Sequence, residues 1–215
     1  MLTIHTAGLL VFGDPERPSL PDGAILVEGR EIAAVGPYEE LADARPTARV
    51  RRWPGLLAPG LLNPYGPELL ERAYHPDPRE ADELGTEPLT GAALAALPMT
   101  DARWGASARR GVQRLLAHGT VAVAGNLRRP AVVDAVRRAG VSVEERFADP
   151  AGPPSLDPLA GRSLAETALM PLLPLAGLPA TFTVFDAENE ETLTTMGATC
   201  CVATVIGGRL LYRSR

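Results

Sequence analysis

Asp22-Gly23-Ala24-Ile25-Leu26-Val27-Glu28-Gly29-Arg30-Glu31-Ile32-Ala33-Ala34-Val35-Gly36 is the stretch that decides the fold. Residues 24–28 and 31–35 are two β-prone runs on either side of Gly29-Arg30. A glycine-containing turn between two such runs predicts a β-hairpin, and Gly36-Pro37 punctuates its end. Outward on the C-terminal side, residues 38–44 read as one or two helical turns. Residues 49–53 alternate as an edge strand, and 56–62 are a further apolar run. On the N-terminal side, Leu9-Leu10-Val11-Phe12 is broken by the turn residues Gly13-Asp14-Pro15. The far end of the chain returns to the same style. Thr181-Phe182-Thr183-Val184-Phe185 is a strand followed by a polar loop, and residues 200–206 and 209–212 flank Gly207-Gly208 as a closing hairpin.

The middle has a different period. Residues 63–100 are acidic and carry Pro64, Pro67, Pro76, Pro78, Pro88 and Pro98, which argues against any long helix there. A short helix is expected at 89–97 with Thr90 as its N-cap. A longer one, 101–117, has Trp104, Ala108, Gly111, Val112, Leu115 and Leu116 at helical spacing, with Gly119 as its C-cap. Val121-Ala122-Val123-Ala124 reads as a buried strand, 131–139 as a helix closing at Gly140, and 141–147 as another strand. This alternation predicts βα units on a parallel sheet. Residues 149–158 form a Pro/Gly loop, and 163–173 a helix opened by a Ser163/Glu166 capping box.

Composition bounds the function. The chain has 215 residues, is 46% apolar and 22% charged, and carries a net charge of −5, so it can bury a core and has no basic stripe for nucleic acid or an anionic membrane. No apolar run is long enough to span a bilayer, and Met1-Leu2-Thr3-Ile4-His5 lacks the basic start of a signal peptide, so a cytoplasmic location is expected. All 21 basic residues are arginine. Lysine Schiff-base and lysine general-base chemistry are therefore excluded. Histidine occurs only at His5, His75 and His118, and the two cysteines, Cys200 and Cys201, are no disulfide framework.

In this order the pieces resemble the amidohydrolase superfamily, whose members assemble a small β-sandwich from both chain ends around an inserted metal-dependent (βα)8 barrel. The 22–36 stretch resembles the family's opening hairpin, and Leu57-Ala58-Pro59-Gly60-Leu61-Leu62-Asn63 the run into its first barrel strand. Residues 179–186 resemble its returning strand and 205–213 its closing hairpin. The unit from Trp104 to Val123 resembles an early barrel unit. Imidazolonepropionase-like and aminofutalosine- or guanine-deaminase-like members are the nearest in pattern. The resemblance covers about three quarters of the chain and implies a fold class of α/β plus β. Residues 1–61 and 179–215 would form the composite β-sandwich, and residues 62–178 an incomplete (βα) barrel remnant inserted in it.

The departures from the family bear on function. The family follows its Pro-Gly-Leu run with Ala-His-x-His, whose histidines hold the metal. Here Pro64 takes the Ala place and Tyr65 and Pro67 the histidine places. Proline has no donor atom, and zinc favours Cys, His and carboxylate over tyrosine. A carboxylated lysine, which binuclear members carry, cannot form in a lysine-free chain. Arg146-Phe147-Ala148-Asp149-Pro150-Ala151 resembles the end of the family's eighth strand, which implies a catalytic role for Asp149. A closed barrel takes about 200 residues or more, and residues 62–178 hold little over half of that. About two to four βα units are expected, with the exposed side repacked by the Pro-rich segment or covered by a homodimer or heteromeric partner.

Other residues have simpler readings. Glu71, His75 and Asp77 read as surface polar groups, His118 as a histidine at a helix C-terminus, and His5 as a solvent-facing strand residue. Cys200 and Cys201 on a strand should face opposite sides, one in the core. Arg103, Arg109, Arg110, Arg128 and Arg129 are placed to line one end of the βα layer, where they would hold a phosphate or carboxylate, or to scatter into solvent. Gly125-Asn126 follows a buried strand, where parallel sheets bind ligands, and is the candidate ligand-binding position. The leading expectation is a non-catalytic amidohydrolase-like protein, a pseudoenzyme without cofactor that binds a small molecule or a protein partner. The alternative is a metal-dependent hydrolase of non-peptide C–N bonds, with zinc in a non-standard or intersubunit site. A third reading is a structural subunit completed by its partner.

Overall fold

The computed structural model describes residues 1–173 and 175–214. The N-terminal segment runs β1 (Leu2–Thr6), β2 (Leu9–Leu10), β3 (Leu20–Pro21), β4 (Gly23–Glu28), β5 (Glu31–Pro37), helix α1 (Tyr38–Ala44), β6 (Arg49–Arg52) and β7 (Leu56–Pro59). The middle holds β8 (Leu61–Asn63), α2 (Gly66–Leu70), β9 (Ala73–Tyr74), α3 (Ala81–Leu84), β10 (Leu89–Thr90), α4 (Gly91–Ala95), α5 (Asp101–Leu116), β11 (Thr120–Ala124), α6 (Pro130–Ala139), β12 (Ser142–Glu144) and α7 (Leu164–Thr167). The chain ends with β13 (Leu178–Pro179), β14 (Phe182–Phe185), α8 (Glu190–Met196), β15 (Cys201–Ile206) and β16 (Arg209–Arg213).

The opening hairpin is β4–β5, antiparallel, with Glu28 paired to Glu31 at its turn. It sits in a five-stranded sheet of order β13-β5-β4-β1-β6, and β6 is its edge strand, parallel to β1. A second, six-stranded sheet has the order β16-β15-β14-β7-β2-β3. Strands from the two chain ends meet in both: β13 on β5, and β14 on β7. The sheets face each other through Ile25, Val27 and Ile32 on one side and Leu10, Leu57, Phe182, Val184 and Val205 on the other. Each such large apolar side chain contributes about 1.5–3 kcal/mol on burial. The outer face of the first sheet is covered by α1, where Tyr38, Leu41 and Ala42 pack on Ile4, Ala24 and Leu26. The second sheet is buried on both faces: its other side carries Leu56, Ala58, Phe185 and Cys201 against Leu159, Leu164 and Leu193.

β8, β11 and β12 form a third sheet of order β12-β11-β8, parallel throughout. It is an open layer of three strands, and among the described residues no closed barrel is formed. Its helices follow from their sequence. Thr100 caps α5 by accepting a hydrogen bond from the Arg103 N–H at 3.2 Å. Val112, Leu115 and Leu116 of α5 and Val132 and Val136 of α6 then bury with Val123 and Leu69. Among the described residues no helix is long and apolar enough to cross a membrane.

Several sequence expectations change. The helix expected at 163–173 is the single turn α7, although its Ser163/Glu166 capping box forms. The backbone leaves the helix to bond elsewhere. Ala168 bridges to Leu61, and the Leu169 N–H donates to the Gly60 carbonyl at 2.9 Å. Residues near 168 thus cover the free edge of β8. The strand expected at 141–147 is β12 alone, because Arg146 turns toward Glu68 and the Pro64 carbonyl. α5 ends with Ala117 as its cap, two residues before Gly119. The polar loop after β14 contains α8, capped by the Asn189 side chain.

His5 is buried, not solvent-facing. β1 is sandwiched between α1 and the second sheet, so both its faces are interior. The Trp53 indole N–H donates to His5 Nδ1 at 3.1 Å, and the ring meets Phe182 edge-on. Burial, reinforced by the Arg51 charge, lowers its pKa to about 4.

Candidate functional site

The three parallel strands end flush: Val123 pairs with Asn63 and Ala124 with Glu144. The turns leaving the three strands therefore gather at one end of the sheet. At the end of β8, the buried Asn63 is a clip. Its amide donates to the Ser155 and Leu156 carbonyls at 2.9 and 3.3 Å, and its Oδ1 accepts from the Tyr65 N–H at 3.0 Å. The Tyr65 hydroxyl donates to the Ala151 carbonyl at 2.6 Å, with Gly152 at 3.1 Å, and accepts from Arg162 at 2.8 Å. Pro67 opens α2 and lies over Gly125, whose φ is +115° and where a Cβ would come within 2.6 Å of the proline ring. The two positions that hold histidines in the amidohydrolase pattern are thus a phenol engaged with backbone and arginine, and a ring without a donor. They do not fit that family's metal. Among the described residues no three His, Cys, Asp or Glu side chains gather as a metal-holding group.

After β11 come Gly125 and the exposed Asn126, and after β12 comes Arg146. Gly125 donates its N–H to the Glu144 carbonyl at 3.0 Å. Arg146 bonds Glu68 at 3.0 Å and the Pro64 carbonyl at 3.3 Å. Asp149 lies in the irregular segment beyond, with its side chain 97% exposed and 3.4 Å from Arg146. Asn126, Arg128, Arg129, Arg146 and Arg72 line an open depression of about 400 Å³ with Pro67 and Glu71. Larger hollows lie elsewhere, among them one of about 500 Å³ between residues 76–78 and α5. One of about 780 Å³ runs between α5 and α6 and is lined by helix residues alone. Another, of about 720 Å³, lies between α2 and residues 154–156.

The five arginines singled out in the sequence divide. Arg128 and Arg129 reach the strand-end depression. Arg103 and Arg110 instead clamp the Pro-rich segment, Arg103 on Glu80 at 2.7 Å and Arg110 on Asp77 at 3.4 Å, with Arg103 also over the Tyr74 ring. The short Tyr74–Glu80 hydrogen bond, 2.5 Å, is the main cause holding the Glu80 carboxyl below its usual range. Arg109 lies on the outer face of α5.

Glu71 and His75 are not the solvated pair expected. The Glu71 carboxylate accepts hydrogen bonds from the Arg128 and Arg129 N–H groups at 2.7 and 2.5 Å, at the start of α6. His75 is fully buried. Its ring lies against Gly111, where a Cβ would sit 2.7 Å from Nε2. Its backbone N–H donates to Ser107, and its Nε2–H donates to the Leu69 carbonyl at 2.8 Å. Nδ1 is buried without a hydrogen-bond partner among the described residues, and burial is the main cause of its lowered pKa. His118 does serve the end of α5, bonding the Arg114 carbonyl at 2.8 Å. Cys201 is in the core, its thiol pushed up to about 12 by burial. Cys200 is half-buried against the same core cluster and bonds the Gly197 carbonyl, because it ends a 3-10 turn and precedes β15.

Sequence reasoning did not find Arg146 and Glu68 as site residues. The available signal was position: Arg146 lies just past the strand that neighbours β11, as Asn126 lies just past β11 itself.

Comparison with a family model agrees with the resemblance at the opening hairpin. Residues 23–44, which are β4, β5 and α1, match the imidazolonepropionase-like composite domain of bacteria. No curated protein matches the chain. Similar solved structures include ochratoxinase from A. niger, with 21% identity and a TM-score of 0.47 over 68% of this chain and 32% of that one. An adenosine deaminase from Xanthomonas campestris with bound zinc has 22% identity and a TM-score of 0.46, covering 66% of this chain and 32% of that one. Aminofutalosine deaminase from Helicobacter pylori has 15% identity and a TM-score of 0.39, covering 67% and 33%. The chain spans about a third of the length of these proteins.

Proposed function

We propose that this chain is a non-catalytic amidohydrolase-like protein that binds a small molecule at the carboxyl ends of its three parallel strands and does not hydrolyse it. The observation that carries the reading is Tyr65. At the first of the two metal-ligand positions of the family pattern, its hydroxyl is bonded to Ala151 and Arg162 and ties down the segment beyond β12. A hydrolase of that pattern needs a metal to make hydroxide near neutral pH, and at these positions neither Tyr65 nor Pro67 supplies an available donor. The strand ends keep a depression at the place where parallel sheets take ligands, lined by Asn126, with Gly125 buried beside it under Pro67.

The test is metal analysis of protein purified without chelator, together with assays of C–N bond hydrolysis. The expected result is no stoichiometric transition metal and no turnover. Stoichiometric zinc, iron or manganese that is lost in Asp149→Ala, together with hydrolysis, would replace this reading with the enzymatic one.

A further inference from the structure

We propose that the depression at the ends of β8, β11 and β12 is a binding site for the phosphate group of a small molecule, with Glu71 as the carboxylate that the incoming phosphate displaces. This rests on the binding role proposed above and narrows it to a ligand class. Four arginines line the depression, Arg72, Arg128, Arg129 and Arg146, against one lining carboxylate, Glu71. The chain as a whole carries a net charge of −5. A positive concavity in an acidic protein concentrates anions locally.

The arginines are not equally occupied. Arg72 and Arg146 share Glu68 at 3.6 and 3.0 Å. Among the described residues the guanidinium groups of Arg128 and Arg129 form no ion pair. Arg129 is held over the Trp104 ring, 4.3 Å from its centroid, which limits the freedom it would lose on binding. Arg146 is fixed by Glu68 and the Pro64 carbonyl, its side chain only 19% exposed. Planar guanidinium groups bind phosphate through paired hydrogen bonds. The Arg128 and Arg129 N–H groups, which now bond the Glu71 carboxylate, are further donors that an oxyanion in the same place would accept from. The volume, about 400 Å³, exceeds a bare ion and suits a small phosphorylated molecule.

The probes are inorganic phosphate and phenyl phosphate, titrated calorimetrically at constant ionic strength with sodium chloride as the control. Wild type should bind both saturably. Arg128→Gln should weaken binding by about tenfold. Glu71→Gln should strengthen it, because the competing charge is removed. Arg137→Gln, on the exposed side of α6 and paired with Asp134, should leave it unchanged. Absence of saturable binding in both wild type and Glu71→Gln would overturn the proposal. So would binding that Arg128→Gln and Arg146→Gln both leave unaltered. Either failure leaves the metal and hydrolysis results as they are, so this proposal and the non-catalytic reading fail separately.

Discussion

The Tyr65 hydroxyl lies 2.6 Å from the carbonyl oxygen of Ala151, a hydrogen bond between residues 86 apart in sequence. It joins the turn after the first parallel strand to the segment after the third. Tyr65→Phe removes the hydroxyl and leaves the Ala151 carbonyl and Arg162 without this partner. Urea unfolding should show a loss of about 1–2 kcal/mol. An unchanged midpoint would mean that water replaces the phenol at no cost.

Acid should weaken the fold before the carboxylates titrate. His5 has a folded pKa of about 4 against 6.5 unfolded. Between these values the unfolded chain binds more protons, so stability falls as pH drops from about 6.5 and the loss is complete below about 4. The shift corresponds to about 3 kcal/mol. His75 is lowered in the same direction and adds to the effect. Glu80 and Glu166, held below their usual range by hydrogen bonds, lose their contribution only as pH falls through lower values. Denaturation midpoints followed by tryptophan fluorescence from pH 7 to 5 should slope downward. His5→Gln, which keeps an acceptor for the Trp53 indole, should flatten that slope; an equal slope in the variant would remove His5 as its cause.

Gly125→Ala should destabilise by about 2–4 kcal/mol. The φ of +115° disfavours any side chain, and the added methyl would meet Pro67. Thermal unfolding measures this directly. A variant as stable as wild type would show that Pro67 does not rest on this backbone.

Thiol labelling should separate the two adjacent cysteines. Cys201 is buried with its pKa pushed up to about 12, so at pH 8 it should stay unmodified until the chain unfolds. Cys200 is half-buried and also raised by burial, and should react slowly. Rapid modification of both in the native protein would contradict the packing around β15.

The β4–β5 hairpin and the closing hairpin are legible in the sequence because a turn between two short runs is a local signal. So are α5 and α6, whose apolar residues recur at helical spacing. The burial of His5 and His75 is not legible. His5 lies in β1 and His75 just past β9, and each is covered by an element distant in sequence, the second sheet through Phe182 for His5 and α5 for His75, so local alternation carries no record of the cover. The single turn of α7 escapes for a related reason: the capping box marks where a helix starts, but the Gly60 carbonyl that draws the chain away is remote in sequence. At the strand ends, Gly125 and Asn126 stand out by position, whereas Glu71 reads as a solvated side chain because its partners are the backbone amides of Arg128 and Arg129.

The central β-layer has a consequence for biosynthesis. β7 emerges from the ribosome long before β14, its antiparallel neighbour. At about 5–20 residues per second, its hydrogen-bonding edge is unmatched for roughly ten seconds of translation. The nascent chain therefore carries an adhesive ribbon of Leu56, Leu57 and Ala58 through most of its elongation, and a stalled or prematurely terminated product would be a substrate for chaperones.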